Sequence, residues 1–216
     1  MQNVGFSNNV PVYGSYPGWI NNEGTTGIQV DIIYDLLCED SRNANNNIIG
    51  PLLTTPWNGS TVGESVTFGY SVFPLPYHLH AFSVNQLVPY FIDECEVNSA
   101  NCYLLDAYRD FCYSGRVIED VLGATNVSEL DFQSQWAWTV ANHFSLDEPT
   151  IAGLYTNGDP YGSNWDTRVL WKHATSSGVS GTPSAFVNGV KLDSFPWSTQ
   201  EWIDLLNDVL ASQYHA

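Results

Sequence analysis

Two apolar runs and the short link between them constrain the fold of this chain most tightly. Residues 28–37 are almost continuously apolar in their second half, as a strand buried on both faces of a sheet must be. In residues 66–73, Val66, Phe68, Tyr70 and Val72 alternate and Phe73 extends the run, which predicts a second buried strand. Between them Ala44, Ile48 and Leu52 recur at four-residue spacing and predict a helix. Asn43, Asn45, Asn46 and Asn47 weaken that helix, and Pro51 is expected to break or kink it. Residues 53–64 read as a loop. Strand, helix and strand with a right-handed crossover give a parallel pair. The carboxyl ends of such strands share one sheet edge, where reactive and ligand-binding residues gather. Cys38 follows the first strand there, and His78 follows the second.

The remaining pattern is mostly helical. Residues 1–25 are rich in Asn, Gly, Tyr and Pro and read as an extended arm with a short strand near residues 10–12. Ala81, Val84, Val88 and Phe91 form one apolar helix face, expected to end near Pro89. Leu104, Leu105, Tyr108 and Phe111 form a second. Leu130, Ala137, Val140, Ala141 and Phe144 form a third, entered through the acidic cap Ser128-Glu129-Leu130-Asp131. Val169, Leu170 and His173 share a fourth. After Gly181-Thr182-Pro183 come short strands at 185–187 and 190–192, joined by the hairpin dipeptide Asn188-Gly189. A capping box, Ser198-Thr199-Gln200-Glu201, opens a last helix whose inner face is Ile203, Leu206, Val209 and Leu210.

This order, with Cys38-Glu39-Asp40-Ser41 at one end and Gly181-Thr182-Pro183 at the other, resembles DsbA-like thioredoxin-fold proteins. Tyr34-Asp35-x-x-Cys38-x-Asp40-Ser41-Arg42 and Phe73-Pro74-Leu75-Pro76-Tyr77-His78 look like a eukaryotic thioredoxin-like group of plants and protists. Members carry Cys-Pro-Asp-Ser-Arg and Leu-Pro-Tyr-His at these places; here Glu39 replaces the proline. The resemblance implies an α/β thioredoxin fold with a helical insertion between the second parallel strand and the hairpin. Residues 1–25 would be the arm, 26–78 and 179–216 the thioredoxin domain, and 79–178 the insertion. It also implies that Thr182 and Pro183 form a cis-proline loop beside Cys38, where substrate chains pair in redox-active relatives. No activity comes with the resemblance to the eukaryotic group.

The chemistry at Cys38 can be read from its neighbours. A thiol at the first turn of a helix meets the positive end of the helix dipole and free N–H groups, which favour thiolate. Arg42 adds to this, whereas Asp35, Glu39 and Asp40 oppose it, so a sluggish nucleophile is expected. Ser41 cannot close a disulfide, so two-thiol oxidase or reductase turnover is not expected. Three uses remain: a mixed disulfide with a protein, a peptide or glutathione as co-substrate; a structural buried cysteine; or a vestige on a fold used for binding. Cys38, Ser41, His78, Thr182 and Pro183 are the candidate site residues. His78 reads either as a partner of Cys38, Asp40 or a ligand, or as an anchor of the Pro74-Pro76 loop. His78 and His80 with one cysteine are too thin a pattern for a metal, and neither metal nor cofactor is expected.

Cys95 and Cys102 flank a short polar loop and are the preferred disulfide, with Cys95–Cys112 the alternative. Cys102 and Cys112 would lie about 15 Å apart along one straight helix and could not bond. In a reducing compartment all of these would be reduced core residues. Asp and Glu number 23 against six Lys and Arg, a formal net charge of −17. Such a surface repels phosphate backbones and anionic lipid, so nucleic acid is not expected as a partner. No run of 18 apolar residues argues for membrane insertion. Asn58-Gly59-Ser60 and Asn126-Val127-Ser128 are glycosylation sequons. The first residues lack the basic and apolar regions of a secretory signal. The expectation is therefore a mature N-terminus and a secreted or secretory-lumen protein rather than a cytoplasmic one. Eight Trp and twelve Tyr exceed the needs of the core. With the arm, they support a second class of function: a non-catalytic glycosylated structural or binding subunit. Its partner would be a protein or peptide, including other copies of itself, engaged through the arm.

Overall fold

The computed structural model describes residues 16–213. The described chain opens with β1 (Trp19–Ile20) and β2 (Gln29–Tyr34), then a helical segment of α1 (Glu39–Asn43), a π-helical turn (Ala44–Ile49) and α2 (Gly50–Thr54). Pro51 does not break this segment. The π turn carries the chain past it, the Gly50 N–H bonding the Asn45 carbonyl five residues back, and Pro51 then sits in the first turn of α2. The wider π turn makes room for the proline ring, which in an unbroken α-helix would press on the carbonyl four residues back.

The expected loop at 53–64 is instead structured. β3 (Pro56–Trp57) and β4 (Ser60–Thr61) form a hairpin around Asn58 and Gly59, at φ of 48° and 83°. Thr61 and Glu64 then close a capping box on α3 (Val62–Ser65). Two-residue strands are too short to show a period in sequence. β5 (Thr67–Val72) pairs in parallel with β2, with Ile32 opposite Tyr70 and Tyr34 opposite Val72.

The insertion follows as α4 (Ala81–Asn85), α5 (Val88–Val97), a 3-10 turn (Ser99–Asn101), α6 (Tyr103–Cys112), α7 (Gly115–Gly123), α8 (Glu129–Phe144), α9 (Glu148–Gly153) and α10 (Ser163–Ser176). Pro89 lies in the first turn of α5 rather than ending its predecessor, where a first-turn N–H has no intrahelical partner to lose. The sequence did not announce α7 or α9. Leu130, placed on the inner face of α8, is 77% exposed, because it falls in the first turn on the far side from Phe132 and Trp136.

β6 (Ser184–Val187) and β7 (Val190–Lys191) turn at Asn188 and Gly189, both at positive φ, and α11 (Thr199–Gln213) closes the fold. Glu201 accepts from the N–H groups of Trp197 and Ser198, and Ser198 accepts from Glu201 N–H, the expected capping box. Trp202 and Leu206 are the fully buried residues of that helix.

The sheet order is β1-β5-β2-β6-β7, with β6 antiparallel to β2. The strand expected near residues 10–12 lies outside the described residues. The described end of the arm joins this chain's own sheet: β1 runs antiparallel to β5, and Trp19 stacks on Tyr70 at 5.5 Å. Gly69 permits that approach. A Cβ there would come within 2.3 Å of the Tyr16 hydroxyl, which donates to Asp31.

One consequence for stability arises at the start of α10. Asp166 is buried, and that burial pushes its carboxyl up from 3.8 to about 6, with Asp93 and Asp159 adding to the shift. Between these values the folded chain holds a proton that the unfolded chain has released, so stability falls as pH rises from about 4 to about 6. Urea midpoints for the native chain and Asp166→Asn should show a shallower fall across that window in the variant.

Candidate functional site

Two sequence elements 144 residues apart meet at one sulfur. After β2 the chain turns, the Cys38 N–H bonding the Asp35 carbonyl at 3.0 Å and the Cys38 carbonyl accepting from Arg42 N–H at 2.9 Å. Cys38 is thus the N-cap of α1, in extended conformation, with no side-chain cap bond. Its thiol instead donates to the Thr182 carbonyl at 3.4 Å. The Thr182–Pro183 peptide bond is cis. Cys38 is 6% exposed and packs in a small apolar cluster with Ile33, Phe73, Leu75, Ala174, Val179 and Phe186.

Beneath the cysteine lies a buried carboxylate. Asp35 is fully buried, and four donors converge on it. Oδ1 accepts from Leu37 N–H at 3.1 Å and Asn85 Nδ2 at 2.9 Å. Oδ2 accepts from Leu75 N–H at 3.2 Å and lies 2.7 Å from His78 Nδ1. The Asp35 carbonyl accepts from the Tyr113 hydroxyl at 3.2 Å as well as from Cys38 N–H. Asp35 therefore ties the end of β2 to the loop after β5 and to α4, while Tyr113 ties it to the end of α6. His78 meets Asp35, not Cys38 or Asp40, and together with Leu75 fixes the Pro74-Pro76 loop.

The other candidates are placed as follows. Ser41 is fully buried, its hydroxyl 3.4 Å from the Asp35 N–H. Arg42 pairs with Glu39 at 3.6 Å. His80 is committed elsewhere, to Glu129 at 2.8 Å and the Ala124 carbonyl at 3.1 Å, and it stacks on Phe132. Cys95 and Cys102 are joined in a disulfide with Cα atoms 4.3 Å apart. Cys112 is a free, fully buried thiol, and burial pushes its pKa upward. Asn58 and Asn126 are both exposed. Tyr77 is 72% exposed, and its phenol is pushed up by desolvation and then by the proximity of Cys38, Asp35 and Asp40.

Sequence reasoning missed Asn85 and Tyr113, which support the site from the insertion. A lone asparagine beside Val84, on an otherwise apolar face, was the available signal for Asn85. The sequence also gives no hint of a groove of about 430 Å³ beside the site. One wall is the loop from Pro74 to Leu79, and the other is the exposed face of α10 at Trp165, Arg168, Trp171 and Lys172. The arrangement offers one thiol at a strand-to-helix junction with a backbone carbonyl against it. Among the described residues no three His, Cys, Asp or Glu side chains converge as metal ligands.

No family model and no curated protein matches the chain. Solved structures do. Oxidised BdbD from Bacillus subtilis superposes with a TM-score of 0.58 at 13% identity, covering 90% of this chain and 94% of that one. The oxidoreductase DsbA from Xylella fastidiosa gives 0.58 at 10% identity, covering 90% and 92%. A thioredoxin-like oxidoreductase from Silicibacter pomeroyi DSS-3 gives 0.54 at 15% identity, covering 90% and 93%. The chain has the DsbA-like α/β thioredoxin fold, with its helical insertion between the second parallel strand and the C-terminal hairpin.

Proposed function

We propose that this is a monothiol thioredoxin-like protein of the secretory pathway or extracellular space, exchanging disulfides weakly through Cys38. The observation that carries the reading is the Cys38 sulfur at a helix N-cap against the Thr182 carbonyl, with Ser41 in the place of a resolving thiol. The Cys38 thiolate attacks a partner disulfide, a Cys38–partner bond forms, and the other partner sulfur leaves as thiolate. A second, external thiol such as glutathione then attacks that mixed disulfide and regenerates Cys38. Low exposure of the sulfur, with Glu39 and Asp40 alongside, supports a slow reaction.

The Cys95–Cys102 disulfide supports an oxidising compartment, and the exposure of Asn58 and Asn126 makes both sequons reachable for glycosylation. Among the described residues no helix is long and apolar enough to cross a membrane. The competing reading, a non-catalytic subunit assembled through its arm, loses support at residues 16–25. There Trp19 and Ile20 pair with the chain's own β5 and leave less of the arm to reach a second copy.

A glutathione-capped cysteine peptide in glutathione buffer tests the reading. The native chain should accelerate exchange, Cys38→Ser should abolish the acceleration, and no dithiol should be oxidised without an external disulfide. Full activity in Cys38→Ser, or dithiol oxidation by the native chain alone, would contradict it.

A further inference from the structure

We infer that the groove between the Pro74–Leu79 loop and α10 holds an acidic, apolar stretch of the polypeptide whose cysteine meets Cys38. The inference rests on the exchange reading for the cysteine, while binding in the groove does not depend on the thiol.

Position is the first argument. Phe73 and Leu75 pack in the same cluster as Cys38, Trp171 stacks on Phe73 at 5.6 Å, and His78 in the groove wall is held by Asp35. Chain bound in this groove therefore leaves toward the sulfur.

Charge is the second. The protein carries six Lys and Arg against 23 acids, yet two of those cations, Arg168 and Lys172, stand one helical turn apart on the same wall. Neither forms an ion pair with a carboxylate of the described residues, whereas Arg42, Arg109 and Arg116 all do. Lys172 Nζ lies 6.0 Å from the Trp165 ring centroid, over an aromatic face. On a chain of net charge −17 such a patch is the place where an acidic segment can approach.

Exposed apolar surface is the third. Leu79, Trp165 and Trp171 line the groove and are 60, 52 and 37% exposed. Aromatics with basic residues at the edge of an apolar trough are the composition of a peptide-binding surface. The same net charge disfavours an anionic bilayer, which would have to meet far more of the protein than the groove.

The test uses the full chain as Cys38→Ser and a fluorescein-labelled, cysteine-free hexapeptide with two Glu flanking Leu-Phe, compared with Gln and Lys versions by anisotropy. The acidic peptide should bind, the Gln version about fivefold more weakly and the Lys version less still. Reversing the patch with Arg168→Glu and Lys172→Glu, both exposed, should weaken the acidic peptide about tenfold and make the Lys peptide the better ligand. Equal binding of the three peptides, indifference to the reversal, capture of phosphatidylserine vesicles instead, or self-association blocked by the reversal would each overturn the inference. Repeating the series with a disulfide-capped cysteine in each peptide and the native chain separates the two readings. Selective binding without an adduct leaves the groove and removes the exchange. Adducts at equal rates for acidic and basic peptides keep the exchange and remove the groove.

Discussion

Replacing Asp35 by alanine is expected to cost about 3–5 kcal/mol, the loss that follows when one partner of a buried, charge-assisted network is removed. The carboxylate is fully buried and is the acceptor for Leu37 N–H, Leu75 N–H, Asn85 Nδ2 and the nearby His78 ring. Alanine takes the acceptor from the Leu37 and Leu75 N–H groups and from the His78 ring, leaves Asn85 Nδ2 with only its bond to the Ala81 carbonyl, and opens a small cavity between β2 and the loop after β5. Asparagine fills the cavity but turns an NH₂ toward two of the donors, so Asp35→Asn should recover only part of the loss. Urea unfolding at pH 7 measures both, with an unchanged slope showing that the native state is still compact. A loss below about 1 kcal/mol for Asp35→Ala would mean that water replaces the carboxylate at no cost, and that the network does not hold the loop.

The second large effect is a gain. Ser41 stands three residues after Cys38, in the first turn of α1, a spacing that places Cα atoms of a helical turn about 5 Å apart, within the Cα separation that a disulfide spans. In the Ser41→Cys variant the introduced thiol should therefore close a disulfide with Cys38 when oxidised glutathione is supplied, which is reduced to two thiols in exchange. A thiol tethered this way acts at a local concentration in the millimolar range, so it should resolve a Cys38 mixed disulfide about a thousandfold faster than micromolar external thiol. Stopped-flow release of a chromogenic thiol from the mixed disulfide gives the rate. Once in its disulfide form, the same variant should oxidise one equivalent of a small dithiol without added glutathione, its own bridge being reduced. If resolution is no faster than in the native chain, the side chain at position 41 points away from the sulfur and the monothiol chemistry is not limited by the missing thiol.

What could be read in the sequence follows from burial. β2 and β5 are covered on both faces, so their apolar runs stood out, and Asn188-Gly189 marked the hairpin because positive φ is tolerated there. Cys38 and Thr182–Pro183 were paired by resemblance, and the structure brings them within 3.4 Å. Local devices misled where they were subtle. Pro51 and Pro89 looked like breakers and are first-turn residues, and the hairpin at 56–61 was too short to alternate. Asp35 shows the deeper difficulty. In the sequence it is one more negative charge beside a thiol. In the fold its partners Leu75, His78 and Asn85 arrive from 40 to 50 residues away, and no local pattern encodes that meeting. The groove has the same character, since its walls come from a loop and a helix about 90 residues apart in the chain.

The most direct test of the account is to map mixed-disulfide formation on the native protein with a small aromatic disulfide at neutral pH, by peptide mass spectrometry after an acid quench. The account predicts one slow adduct, at Cys38, reversed by reductant, with Cys112 unmodified until the chain is unfolded and the Cys95–Cys102 bridge intact throughout. A native protein that accepts no adduct at Cys38, while the unfolded chain accepts adducts at both free cysteines, would show the thiol to be structural and contradict the account.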